Sequence, residues 1–199
     1  MILYIIRHGE TEWNKMGKMQ GKMDISLSED GRKLAQKTAD GLKNIKFDYI
    51  FSSPLERAYE TACIIKGDRD IEIVKDERLI EVGFGLYEGT VVDERKGSFA
   101  LFFDDPQNYV AEKGAESYES LLARTKAFIE NVLFPIEENK PDATVLISGH
   151  GALNKALFLH LLHKQLKDFW SGVYQGNCAV NKFEIKKGNV RLIDEARYY

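Results

Sequence analysis

The run Ile5-Ile6-Arg7-His8-Gly9 carries an apolar strand into a turn that sets a guanidinium beside an imidazole. Such a pair suits an anion. Guanidinium offers a planar fork of N–H donors to phosphate or carboxylate oxygens, and a neutral imidazole can act as nucleophile or base. Gly9 allows backbone to approach a ligand where a Cβ would collide. In isolation an Arg-His pair reads more simply as a surface ion pair and a turn histidine. Here further segments of the chain shift that balance.

The stretch Arg7-His8-Gly9-Glu10-Thr11-Glu12-Trp13-Asn14 resembles the opening motif of the histidine phosphatase superfamily, the phosphoglycerate mutase-like "RHG" proteins. Later segments match the same family in order. These are Asp24-Ile25-Ser26-Leu27-Ser28-Glu29-Asp30-Gly31, Ser52-Ser53-Pro54-Leu55-Glu56-Arg57, Leu79-Ile80-Glu81-Val82-Gly83 with its continuation to Gly89, and Ser148-Gly149-His150-Gly151. The last motif often reads Ser-His-Gly in the family, whereas here Gly149 takes the place just before His150, and Tyr87 stands where the family often has tryptophan.

The resemblance implies a phosphomonoester hydrolase working through a phosphohistidine. Arg7 and Arg57 would clamp phosphate oxygens bidentately, and neutral His8 would attack phosphorus with its other N–H fixed by a backbone carbonyl. His150 would stabilise transition-state charge as an imidazolium, so a lowered pKa is expected at His8 and a raised one at His150. By resemblance Glu81 is the general acid, Glu88 being structural, and Asn14 and Gln20 are further phosphate-binding candidates. Gly151 opens a helix whose N-terminal N–H groups would help hold phosphate. The expected partner is a small-molecule phosphate ester, with no cofactor and no metal.

A 2,3-bisphosphoglycerate-dependent mutase and a phospho-ligand binding module with little catalysis are the alternatives. The segment 90–117 is short for a mutase cap, which favours water as acceptor. It holds Phe99, Leu101, Phe102, Phe103 and Tyr109 with Arg95, Lys96 and Lys113, aromatics that read first as packing for the cap. Gly114-Ala115-Glu116-Ser117 resembles the family's Gly-Glu-Ser with one residue inserted. Other motifs fail: Gly17 to Lys22 is too short for a P-loop, and the glycines from Gly83 to Gly89 have the wrong spacing for a dinucleotide loop. His160 and His163 lack the further ligands of a metal site.

The elements that must position these groups follow from the hydrophobic pattern. Strand-like runs at 2–6, 49–51, 71–74, 144–148, 179–185 and 190–193 alternate with helical stretches until the last pair. That pattern predicts helices packed on a mostly parallel sheet with one antiparallel edge strand, and the resemblance implies a three-layer αβα sandwich with a small cap insertion at about 90–117, all in one domain, 1–199. Ligands collect beyond the carboxyl ends of strands in such sheets, where Arg7, Ser52-Ser53 and His150 all fall. Lys186-Lys187-Gly188-Asn189 reads as a hairpin turn. Pro54 is expected to start a helix at Leu55, Pro135 to kink or end one running from Tyr118, and both Cys63 and Cys178 to be packed inside.

The 199 residues carry 44% hydrophobic and 30% charged residues and a net charge of −3, which argues against a nucleic-acid or membrane surface. No apolar stretch approaches the roughly 20 residues that span a bilayer. The expectation is therefore a cytoplasmic protein, with a homodimer as an open oligomeric state.

Overall fold

The computed structural model describes residues 1–92 and 97–199. Strands β1 (Ile2–Arg7), β2 (Tyr49–Ser52), β3 (Ile73–Lys75) and β4 (Thr144–Gly149) are parallel. Strand β5 (Val180–Lys186) runs against β1, and β6 (Asn189–Arg197) returns along β5. Their order is β3-β2-β4-β1-β5-β6, so the expected parallel sheet ends in an antiparallel pair. The β5–β6 turn has Lys187 at φ 49° and Gly188 at φ 75°, the double positive φ of a two-residue hairpin loop.

Each central strand is apolar on both sides because each side meets helices. Leu3, Ile5, Val145 and Ile147 pack with Phe128, Leu133, Leu153 and Leu157. These come from α5 (Tyr118–Phe128), the π turn Ile129–Leu133 and α7 (Gly151–Leu161). Tyr4, Ile6, Ile50 and Leu146 face the other way, onto Ala35, Ala39, Ala62 and Ile65 of α2 (Glu29–Gly41) and α3 (Glu56–Lys66). The sandwich thus has three layers. Helix α7 lies between the sheet and a third apolar cluster, so it is buried nearly all round instead of along one stripe.

That third cluster carries the cap. Phe102 stacks on Tyr118 at 4.8 Å, Tyr87 on Phe99 at 4.0 Å, and Phe169 and Trp170 close over them. The aromatics of 90–117 are packing residues, as expected of them, and Lys113 lies over the Tyr87 ring. The short α4 (Leu101–Asp104) belongs to this segment. Arg95 and Lys96, the other basic residues of the segment, lie outside the described residues.

Three local expectations are corrected. Pro54 precedes the N-cap Leu55 of α3 instead of occupying its first turn. Of the two outcomes expected at Pro135, ending the helix from Tyr118 is the one excluded: the π turn before it shifts the hydrogen-bond register, and α6 (Phe134–Asn139) accepts proline in its first turn, where a missing N–H costs little. Cys63 is exposed on the outer face of α3, while Cys178 is buried.

The catalytic-type turn is seated on α2. A Cβ on Gly31 would lie 2.0 Å from the Glu10 carbonyl oxygen, and one on Gly9 would lie 2.8 Å from the Gly31 carbonyl oxygen. Both neighbours are backbone and cannot step aside. Gly31→Ala is therefore expected to cost about 1–3 kcal/mol of stability, read as a lowered denaturation midpoint; an unchanged midpoint would refute this seating.

Candidate active site

β1 and β4 are neighbours in register, Arg7 opposite Gly149, so their carboxyl ends deliver His8 and His150 side by side. The two rings are 5.2 Å apart between centroids. His8 is buried, and its Nδ1 lies 2.6 Å from the Gly9 carbonyl oxygen. That contact requires Nδ1–H as donor and leaves Nε2 with a free electron pair. Arg57 Nε donates to that Nε2 at 3.3 Å.

Arg57 is fully buried at the start of α3. Its Nη1 donates to the Met23 carbonyl and its Nη2 to the Gly21 carbonyl, each at 2.7 Å. The fork thus anchors on the loop that carries Gln20, each Nη keeping a second N–H, while Nε turns toward His8. Arg7 donates through Nη1 to the Gln175 carbonyl at 2.7 Å, while its buried Nε has no partner among the described residues. Neither nitrogen of the fully buried His150 has such a partner either.

Glu81 reaches the same place from the segment between two 3-10 turns. Its Oε1 accepts from Val82 N at 3.0 Å and Leu153 N at 2.9 Å, and its Oε2 from Ala152 N at 3.2 Å. Two N–H groups of the α7 first turn, those of Ala152 and Leu153, are therefore taken by a carboxylate, while the Gly151 N–H is not among those it accepts. Oε2 and Arg7 Nε both converge on Gly151, 3.8 and 3.9 Å from where its Cβ would stand. Arg124 fixes this segment by donating to the Arg78 and Ile80 carbonyls and pairing with Glu116 at 2.8 Å. Glu116 also accepts from Gly83 N, so it braces the Glu81 loop.

Asn14 is engaged in the turn itself: its Oδ1 accepts from Thr11 N, closing a capping box over α1 (Glu12–Lys15). Gln20 is buried, with Oε1 unpartnered among the described residues. Glu88 accepts from Lys22 N and Phe84 N, a structural tie between two loops. His160 bonds the Leu122 carbonyl. Gly149 leaves room for the Asn154 amide, whose Oδ1 would be 2.6 Å from a Cβ there.

A model of the histidine phosphatase superfamily (branch 1) matches residues 3–195. The chain belongs to that superfamily. Phosphoserine phosphatase 1 of Hydrogenobacter thermophilus is 35% identical over 173 residues, covering 85% of this chain and 80% of that protein. Among solved structures, Bacillus stearothermophilus YhfR superposes with a TM-score of 0.89 at 32% identity, over 100% of this chain and 98% of the other. A mutant phosphoserine phosphatase from Entamoeba histolytica, solved in complex with phosphoserine, gives 0.81 at 30% identity over 98% and 96%.

In this histidine phosphatase the two imidazoles share one electrostatic setting. Burial first, then Arg57 and Arg7, push His8 well below its ordinary 6.5, against the opposing pull of the Gly9 carbonyl. His150 is pushed down as well, by burial, then Arg57, His8, Arg7 and Arg124. The expected raised value at His150 is thus corrected: burial and the facing arginines disfavour its proton, and a bound anion would supply an opposing field. Arg57 itself is pushed down to about 10, mainly by burial, with Glu81 and Asp24 opposing.

A stability profile follows. Above about pH 6.5 both histidines are neutral in folded and unfolded chains alike. Below it the unfolded chain takes up protons that the folded site refuses, so stability falls as pH drops, by up to about 1.4 kcal/mol per pH unit for each histidine. Denaturant midpoints from pH 7.5 to 5 are expected to fall more steeply for the native chain than for His150→Gln. Equal slopes would refute the burial of a neutral His150.

Residues that sequence reasoning missed complete the site. Thr61 accepts from Gly9 N at 2.9 Å and donates to the Arg57 carbonyl at 2.7 Å, linking the turn to α3. Gln175 and Asn177 close over it from the segment before β5. They lie some 170 positions away in the chain, and no local pattern marks them.

Proposed function

We propose that this chain is a phosphomonoesterase in which His8 Nε2 attacks the phosphorus of a small organic phosphate. The observation that carries this reading is the His8 ring, held as the Nδ1–H tautomer by Gly9 with Nε2 turned into a cluster of Arg57, Arg7 and His150. As phosphate arrives, Arg7 Nε and Arg57 Nε donate to its oxygens, and its negative charge lets His150 hold the proton that its cationic neighbours otherwise deny it. The P–O bond to the leaving group breaks as the N–P bond to His8 forms. Glu81, entering this step protonated at Oε2, gives that proton to the leaving oxygen; water then attacks phosphorus, the N–P bond to His8 breaks, and Glu81 takes the water's proton. Gly151 N, Asn14 and Gln20 stand as further phosphate contacts.

Phosphoserine heads the substrates to test, on the strength of the relatives' names. The chain is read as one domain with a cap at about 90–117. Its two free cysteines, one of them exposed, suit a reducing compartment such as the cytoplasm. Among the described residues no helix is long and apolar enough to cross a membrane.

The test is phosphate release from a panel of phosphomonoesters. Release is expected from phosphoserine or another small ester, and it should persist in EDTA because no step uses a metal. Loss of activity on chelation would refute the mechanism. Interconversion of phosphoglycerates with 2,3-bisphosphoglycerate, without net phosphate release, would favour a mutase.

A further inference from the structure

The carbonyl that sets the His8 tautomer is itself held. Gly9 O accepts His8 Nδ1–H at 2.6 Å and also Asn177 Nδ2–H at 3.2 Å, so both of its lone pairs are engaged. The same Asn177 amide lies 3.1 Å from the His8 carbonyl oxygen and 3.1 Å from Asn14 Oδ1. One NH2 group therefore faces three acceptors, all belonging to the turn that carries the nucleophile. We propose that Asn177 is a positioning residue for the reaction, holding the Gly9 carbonyl where it keeps the proton on His8 Nδ1 and Nε2 bare.

The segment around Asn177 is built for this. Gln175 O takes Arg7 Nη1 at 2.7 Å, and Gln175 Oε1 takes Asn181 Nδ2 from β5 at 2.6 Å. Cys178 N donates to the Arg7 carbonyl at 3.0 Å, from a residue at φ +57°. The chain thus grips Arg7 on both sides of Asn177 and fixes where that amide stands. On the far side, Gly9 N is tied through Thr61 to α3, and Arg57 Nε returns from α3 to His8 Nε2. The imidazole has an anchor at each nitrogen. Asn177 supports the one without which the ring could turn over or exchange tautomers.

This inference rests on His8 as the nucleophile, and its test separates the two. In protein labelled with 15N at histidine, the His8 ring signals, identified by their loss in His8→Ala, are expected to report Nδ1 protonated and Nε2 bare. Asn177→Asp keeps the shape but offers acceptors to three acceptors. It is expected to give a mixed or reversed His8 tautomer and a kcat lower by about 10- to 100-fold, as for outer partners that orient a histidine, with KM little changed. Asn177→Ala, which removes the donor without adding charge, should show the same direction. A folded variant with the native tautomer and native kcat would overturn the proposal, and failure of both variants to fold would replace it with a purely structural role. The tautomer reading needs no turnover. Activity surviving in His8→Ala would overturn the nucleophile assignment while leaving the tautomer signals to judge Asn177.

Discussion

Replacing His8 with alanine is expected to lower phosphate release by about 10⁴- to 10⁶-fold, the scale seen when a covalent nucleophile is deleted. The reason is local. Of the two facing imidazoles, His8 is the one with a ring nitrogen fixed by a backbone carbonyl, and Arg57 Nε already points at its Nε2 from 3.3 Å. His150 cannot substitute, because neither of its nitrogens has a protein partner among the described residues to set a tautomer. The variant should fold, since it removes a ring that burial and two arginines hold neutral. It should also keep affinity for inorganic phosphate, since Arg7 and Arg57 remain. Steady-state assays check the first point and calorimetric titration with phosphate the second. Activity within tenfold of native would contradict the assignment.

Glu81→Gln is expected to separate leaving groups. A proton on the departing oxygen matters most when that oxygen is a poor leaving group, so alkyl phosphates such as phosphoserine should lose about 10²- to 10⁴-fold in kcat. An aryl ester such as p-nitrophenyl phosphate, whose phenolate departs unaided, should lose far less. Glu81 also accepts from Val82, Ala152 and Leu153 N–H groups, and glutamine can meet only part of that demand. Some stability should therefore be lost as well, which a denaturation curve measures. Equal losses on both esters would mean that Glu81 acts by holding α7 and not by moving a proton.

Much of this was legible in the chain because strand ends and motifs coincide. Apolar runs at β1 and β4 are fully buried, so their positions and their parallel pairing follow from composition and spacing, and His8 and His150 come with them. The hairpin at Lys187-Gly188 is equally local. What remained hidden depends on partners distant in sequence. Nothing near Arg57 announces that Gly21 and Met23 carbonyls will take its fork, and nothing near Glu81 that it will meet the first turn of α7. The lowered pKa of His150 has the same origin, since it reflects burial first and then arginines gathered from several elements. Cys63 was misplaced because a short apolar neighbourhood, Ala62 and Ile64-Ile65, does not say which side of a helix turns outward.

The most direct test is to trap the covalent intermediate. Rapid quenching during turnover of a labelled phosphomonoester, followed by peptide mapping under basic conditions, should find one acid-labile, base-stable phosphoryl group on His8, absent from His8→Ala. Turnover without any phosphoenzyme, or label on another residue, would contradict the mechanism proposed for this site.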